Sequence, residues 1–328
     1  MGFLAGQQRA SGRFLSFVGG GRAVRNPRDD QSVFATALIV RALTACDAPL
    51  ARAAAARAAD FLERHAEPPG VWRFWTPSHP SFHAIPADAD DTACASIALR
   101  ACGRPVPDNA RALLASRDAR GLFHTWLVAR WPPPPAASGL WPVLARRARH
   151  PVQARRFWGG GATARPGDVD AVVNANVLLH LGDGPYAAAV ADHLLSVLER
   201  GEERRADRWY YSPLMLHDAV ARCVAAGVGA LTPARDLIVR RVAEATRADG
   251  RIGAGPQDTA LGVSALWHCG ADAELRARSA AHLEAQQTAD GSWPGEALHG
   301  ADEQSWGSPA LTTALCAEAL ARHGAGPG

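Results

Sequence analysis

The chain has 328 residues, 48% of them hydrophobic, so it holds material for a large core, and its net charge of +3 argues neither for nor strongly against nucleic acid, which is not an expected partner. All 35 basic residues are arginine, and the lack of lysine excludes a Walker A loop, a Schiff-base lysine and a pyridoxal phosphate site.

Residues 4–17 pattern as an amphipathic helix. Residues 32–43 form a short apolar run opened by Ser32, a residue type suited to capping a helix. The same alternation then repeats along the chain. Amphipathic, arginine-bearing segments fall at 51–65, 109–116, 186–200, 233–247 and 274–288. Apolar, small-residue runs fall at 90–102, 170–181, 212–225, 258–269 and 308–323, each opening at Asp or Ser. A helix apolar nearly all round is buried on both sides, whereas an amphipathic one faces solvent. Six of each predict an all-α fold: a single (α/α)6 barrel over residues 1–328, its apolar helices forming an inner ring wrapped by the others. Strict two-residue alternation never runs long enough to predict a sheet.

Outer segments end in a turn with glycine and, two residues on, an aromatic. The sharpest instance is Gln286-Gln287-Thr288-Ala289-Asp290-Gly291-Ser292-Trp293. Gly70-Val71-Trp72, Gly121-Leu122-Phe123 and Asp249-Gly250-Arg251-Ile252 echo it, the last with Ile for the aromatic. Glycine lets the backbone leave the helix and the ring packs back, a structural role. Residues 128–167 break the rhythm with Pro132 to Pro135, a helical stretch at 141–150 and Trp158-Gly159-Gly160-Gly161. Such an insertion reads as a lid or as a structural hairpin. Its Arg146, Arg147, Arg149, Arg155 and Arg156 suit phosphate contacts or a solvated helix face.

Six cysteines (Cys46, Cys94, Cys102, Cys223, Cys269, Cys316) lack C-x-x-C spacing and lie mostly in apolar runs, which reads as buried free thiols. No window of 18 residues is apolar and uncharged, and no basic-then-apolar leader is evident. A cytoplasmic protein with no transmembrane helix is therefore expected.

The densest chemistry is Asp88-Ala89-Asp90-Asp91-Thr92-Ala93, at the start of the second apolar run. Three carboxyls this close to an apolar face cannot all ionise comfortably, so at least one pKa is expected to rise. A neutral carboxylic acid in a dry cavity can protonate a weak base such as a carbon–carbon double bond.

This string resembles the D-x-D-D-T-A motif of the class II terpene cyclases of the squalene–hopene and copalyl diphosphate type. Gln286…Gly291-x-Trp293 is similar to their repeated glutamine–tryptophan motif, and the helical repeats span nearly the whole chain. The resemblance implies Asp90 as the acid that protonates a terminal alkene, with Asp88 and Asp91 holding it in place and protonated. In hopene cyclases a histidine on a neighbouring inner helix bonds the acid; Asn174, in Asp170-Ala171-Val172-Val173-Asn174-Ala175-Asn176, is the residue expected at that position. Ordinary interhelical hydrogen bonding is the other reading of Asn174 and Asn176.

His83 and His217 are expected either to reach the aspartates or to be core residues. Aromatic faces attract cations in a dry site, and Trp75, Phe82, Trp126, Trp209, Tyr210 and Trp306, with the polar His83, Asp170, Asn176 and His217, are the candidate substrate contacts. Neither the D-D-x-x-D metal motif of class I synthases nor the zinc ligands of protein prenyltransferase β subunits are present. No cofactor is required for the chemistry, with Mg2+ a companion only to a diphosphate substrate. The expected ligand is a linear isoprenoid, a C15 or C20 prenyl diphosphate or a prenylated compound. The family usually pairs two barrels, so here the insertion, a second copy in a homodimer, or a membrane surface is expected to close the cavity. Two rivals stay open: an (α/α)6 carbohydrate-active enzyme pairing Asp90 with Asp170, and a non-catalytic isoprenoid-binding or scaffold barrel.

Overall fold

In the computed structural model, residues 1–21, 24–129, 137–159, 163–301 and 303–325 are described. The prolines 132–135 and glycines 160 and 161 of the insertion lie outside them. The chain opens with α1 (Gly2–Gly6), then β1 (Ser16–Gly20) and β2 (Arg25–Asp30). Next come α2 (Val33–Leu43), α3 (Pro49–Arg64), α4 (Ala89–Ala101) and α5 (Ala110–Leu114). The insertion contributes α6 (Trp141–Arg147) and α7 (Pro151–Trp158). There follow α8 (Ala171–Leu181), α9 (Ala187–Arg200), the short α10 (Glu203–Ala206), α11 (Pro213–Ala225), α12 (Ala234–Ala245), α13 (Pro256–His268) and α14 (Ala273–Ala285). β3 (Ala297–Ala301), β4 (Gln304–Gly307) and α15 (Pro309–Ala325) end the described chain.

Helices α2, α4, α8, α11, α13 and α15 each pack on the next, and α15 packs back on α2, which closes the inner ring. These are the six apolar runs of the sequence. Every residue of α2 is buried, and α11 is buried from Leu214 through Val224. Helices so covered gain roughly 1.5–3 kcal/mol for each large aliphatic side chain removed from water. Ser32 and Ser212 cap their helices as expected, accepting from the Ala35 and Leu214 N–H, whereas α4 is capped by Asp88, two residues before the expected Asp90, and Asp170 and Asp258 make no side-chain cap. Amphipathic α3, α9, α12 and α14 pack outside α2, α8, α11 and α13.

One turn is used five times between outer and inner helices. The backbone N–H of Arg9, Glu67, Asp118, Arg247 and Thr288 donates to the carbonyl four residues on, at 2.8 to 2.9 Å. The glycine inside each turn (Gly12, Gly70, Gly121, Gly250, Gly291) has φ between 83° and 107°. A side chain there is strained, and at Gly12 a Cβ would lie 2.2 Å from the Arg57 carbonyl oxygen. Two residues later Phe14, Trp72, Phe123, Ile252 or Trp293 is buried. Its backbone N–H donates to a side chain of the following inner helix: Thr36, Thr92, Asn174, Thr259 and Thr313 respectively, at 2.8 to 3.2 Å. The indoles of Trp72 and Trp293 reach back to the carbonyls of Leu62 and Leu283 at 2.9 and 2.8 Å.

Two expectations are corrected. Residues 4–17 are not one helix: α1 stops at Gly6, and the Gly12 turn feeds β1. The four strands form one antiparallel sheet in the order β2-β1-β4-β3, joining the two ends of the chain. β2 reads Arg-Asn-Pro-Arg-Asp-Asp and is exposed in five of its six residues, so no apolar alternation announced it. All six cysteines are free, and all but Cys102 are buried. Among the described residues no helix is long and apolar enough to cross a membrane.

Candidate active site

The inner helices start at one end of the ring, and a cavity of about 520 Å³ lies against those starts. Its floor is Phe34 of α2, Asp90 and Asp91 of α4 with the cap Asp88, and Val173 of α8. Walls come from the connections that carry Phe74, Trp75, Trp126, Trp209 and Tyr210. Helix α7 covers one side with Gln153, Arg156 and Phe157, and the sheet covers another with His299, Gln304 and Trp306. Eight of the lining residues are Phe, Trp or Tyr.

Asp90 lies in the first turn of α4 with its carboxyl on the cavity wall. One oxygen, Oδ1, accepts from the Asn176 amide at 2.8 Å and from the Cys94 thiol at 3.8 Å. The other, Oδ2, accepts from the Tyr210 hydroxyl at 2.5 Å. Burial raises the pKa of Asp90, while the donors Tyr210, Asn176 and Cys94 and the charge of Arg41 pull the other way. The first-turn backbone dipoles also favour the ionised form of Asp90. Asp88 caps the helix, accepting from the Asp91 N–H at 2.6 Å. Burial, with the Asp90 charge adding to it, pushes Asp88 up to about 7. Burial and then the charge of Asp88 hold Asp91 well above the usual carboxyl range.

Beneath this floor lies a buried ion network. Arg222 of α11 bonds Asp218 at 2.8 Å, Glu318 at 2.9 Å and the Ser264 hydroxyl at 3.0 Å. Arg41 of α2 stands 3.6 Å from Asp218. Despite burial, Asp218 is held low by Arg222 and Arg41. Arg41 is the member whose charge reaches Asp90.

The structure brings most of the expected site together and leaves some residues out. Asp88, Asp90, Asp91, Trp75, Trp126, Trp209, Tyr210 and Trp306 line the cavity, and Asn176 touches the acid. Asn174 does not reach Asp90. Its amide is consumed by both backbone groups of Phe123 (2.8 and 2.9 Å) and by the Asp170 carbonyl at 2.9 Å, and it fills the place threonine fills in the other turns. Phe82 instead lies under the Arg73 guanidinium at 4.8 Å. His83 is stacked on His150, with ring centres 3.8 Å apart. His217 faces Glu203 at 3.2 Å. Asp170 has its carboxylate bound by Thr125, Trp209 and the Arg208 N–H at 2.5 to 3.0 Å, off the cavity wall. Of the arginine run, Arg146 and Arg147 pin α6 to the carbonyls of Pro68 and Ala84, whereas Arg156 stands at the cavity.

Phe34, Phe157 and His299 line the cavity without having been expected there. Phe34 had a readable signal: it is two residues past its cap Ser32, as Asp90 is two past Asp88. His299 lies on a strand with no such register to follow.

This fold is that of the class II terpene cyclases. Among solved structures, the type II terpene cyclase MstE from Scytonema matches over 98% of this chain and 94% of its own. Its variant complexes with geranylgeranyl dihydroxybenzoate (substrate) and with merosterolic acid A (product) give TM-scores of 0.70 and 0.72 at 18% and 17% identity. The ent-copalyl diphosphate synthase from Streptomyces platensis matches with a TM-score of 0.53 at 21% identity, over 89% of this chain and 50% of that one. No protein-family model and no curated protein matches the chain by sequence.

Proposed function

We propose that the protein is a class II terpene cyclase, in which Asp90 protonates the distal alkene of a linear isoprenoid and internal alkenes trap the cation in turn. The observation that carries this is the Asp90 carboxyl, raised by burial, set in the wall of an aromatic cavity and bonded by Asn176 and Tyr210. Burial favours the neutral acid at rest. The two donors then stabilise the carboxylate as the proton leaves, which is where catalytic help counts. The rings of Phe34, Phe74, Trp126 and Trp209 line the cavity, where an aromatic face attracts a cation.

The cavity, about 520 Å³, lies inside the roughly 300–1,000 Å³ range of small-molecule sites. It suits a folded C15 or C20 chain better than a C30 one. A prenylated aromatic acid, the substrate kind of MstE, and a prenyl diphosphate both fit, with Arg156 at the cavity to meet the anionic end. The cyclisation itself needs no metal; Mg2+ would serve only to neutralise a diphosphate. The paired-carboxylate reading loses ground, because Asp170 does not line the cavity and its oxygens are hydrogen-bonded. Purified protein incubated with geranylgeranyl dihydroxybenzoate and with farnesyl and geranylgeranyl diphosphates tests the proposal. Cyclic product with the headgroup retained is expected; release of pyrophosphate in step with turnover would contradict it.

A further inference from the structure

We propose that His299 is the base that ends the cascade, its imidazole taking the last proton from the cyclised cation. This rests on the cyclase reading above and names a residue for its closing step.

His299 sits on β3 and its ring lines the cavity. Phe74, Trp306 and Phe34 enclose the ring, their centres 5.4, 5.5 and 5.7 Å away, with Trp306 stacked on it. Among the described residues nothing hydrogen-bonds its ring nitrogens, and burial alone pushes its pKa down to about 3. The imidazole is therefore neutral, with a lone pair that no protein group uses. The other charged or amide groups on the wall are already committed or weaker, burial favouring the neutral forms of Asp88 and Asp91. Asp90 is the acid, the Tyr210 hydroxyl is spent on it, Arg156 is cationic, and the amides of Gln153 and Gln304 are much weaker bases.

The placement also suits a termination step. Tyr210 touches Asp90 with its hydroxyl, and its ring centre lies 6.1 Å from that of His299. Acid and base thus stand an aromatic ring apart, Asp90 on the floor and His299 on the side formed by the sheet. That separation matches a compact fused-ring cation better than the far end of an extended chain.

In the step, a C–H bond beside the cationic carbon breaks, its electron pair becomes the new C=C bond, and the proton joins the imidazole lone pair. Imidazolium here is a stronger acid than the Asp90 carboxyl, which burial raises above its ordinary value. The proton therefore passes to water or back to the Asp90 carboxylate with no further reagent, and the substrate is isomerised overall.

The test compares wild type with His299→Phe, which keeps a ring in the box, and His299→Gln, which keeps a polar group of similar length. Geranylgeranyl dihydroxybenzoate and geranylgeranyl diphosphate are the probes, with products and thermal midpoints measured together. Both variants should still consume substrate, while the share of the wild-type alkene falls by at least about tenfold in favour of alkene isomers or a water-quenched alcohol. If either variant melts with wild-type cooperativity and returns the wild-type product ratio, the inference fails while the cyclase reading stands. Folded wild-type protein that consumes neither probe would overturn both.

Discussion

An acid that protonates an alkene has to stay neutral before the step and be stable as an anion after it. In the proposed reaction burial of Asp90 favours the first, and Asn176, Tyr210 and the start of α4 favour the second. Asp90→Asn keeps the shape and loses the proton, so turnover should fall by at least the roughly hundred-fold expected for a missing general acid. Its thermal midpoint should hold or rise, because a member of a repelling cluster is gone. Tyr210→Phe and Asn176→Ala remove donors that lower the Asp90 pKa. Activity needs protonated Asp90, so the alkaline limb of the pH–rate profile should move to higher pH while the plateau rate drops. An unmoved limb in both variants would detach these residues from the acid. Asp90 was legible because D-x-D-D is local. The choice of Asn174 over Asn176 failed on register: counted from the helix caps, Asn174 stands where Thr36, Thr92 and Thr259 stand, each four residues past Ser32, Asp88 and Gly255, and that position belongs to the turn. His299 and Phe157 are brought in from distant segments, and no local pattern marks them.

At the scale of elements, the inner helices were legible to within a few residues because their burial on all sides writes an unbroken apolar run between polar caps. The sheet was not, since β2 has almost nothing to bury, and the Gly12 turn was hidden inside a helix-like pattern. The repeated turn makes its own prediction. Asn174→Ala orphans the buried Phe123 N–H and should cost about 1–3 kcal/mol of stability, read as a lower midpoint in denaturant, with the alkaline limb of activity unmoved. Asn174→Thr should recover much of that loss, because threonine does the same work in four other turns. A Thr variant as unstable as the Ala variant would contradict the shared role.

For the whole molecule, one closed ring of helices hosts the cavity, and α7 of the insertion together with the unexpected sheet supplies walls, where the sequence alone names the insertion, a partner or a membrane. The buried acids also set how stability follows pH. Asp88, Asp90 and Asp91 titrate above their unfolded values of roughly 4. A raised carboxyl favours the folded state fully below the unfolded value, and that contribution is lost as pH rises through the folded one. Thermal midpoints should therefore fall as pH climbs from about 4 past about 7, the value set for Asp88, and Asp91→Asn should flatten the slope. An equally steep slope in that variant would show that the cluster is not its source.

The central claim, that catalysis begins with a proton from Asp90, is tested most directly by turnover in deuterium oxide. The Asp90 carboxyl exchanges with solvent between cycles. The account predicts a cyclic product carrying one deuterium on the ring methylene next to the gem-dimethyl carbon, an intact headgroup, and no such product from Asp90→Asn. Cyclic product without that deuterium, or with the headgroup expelled, would contradict it.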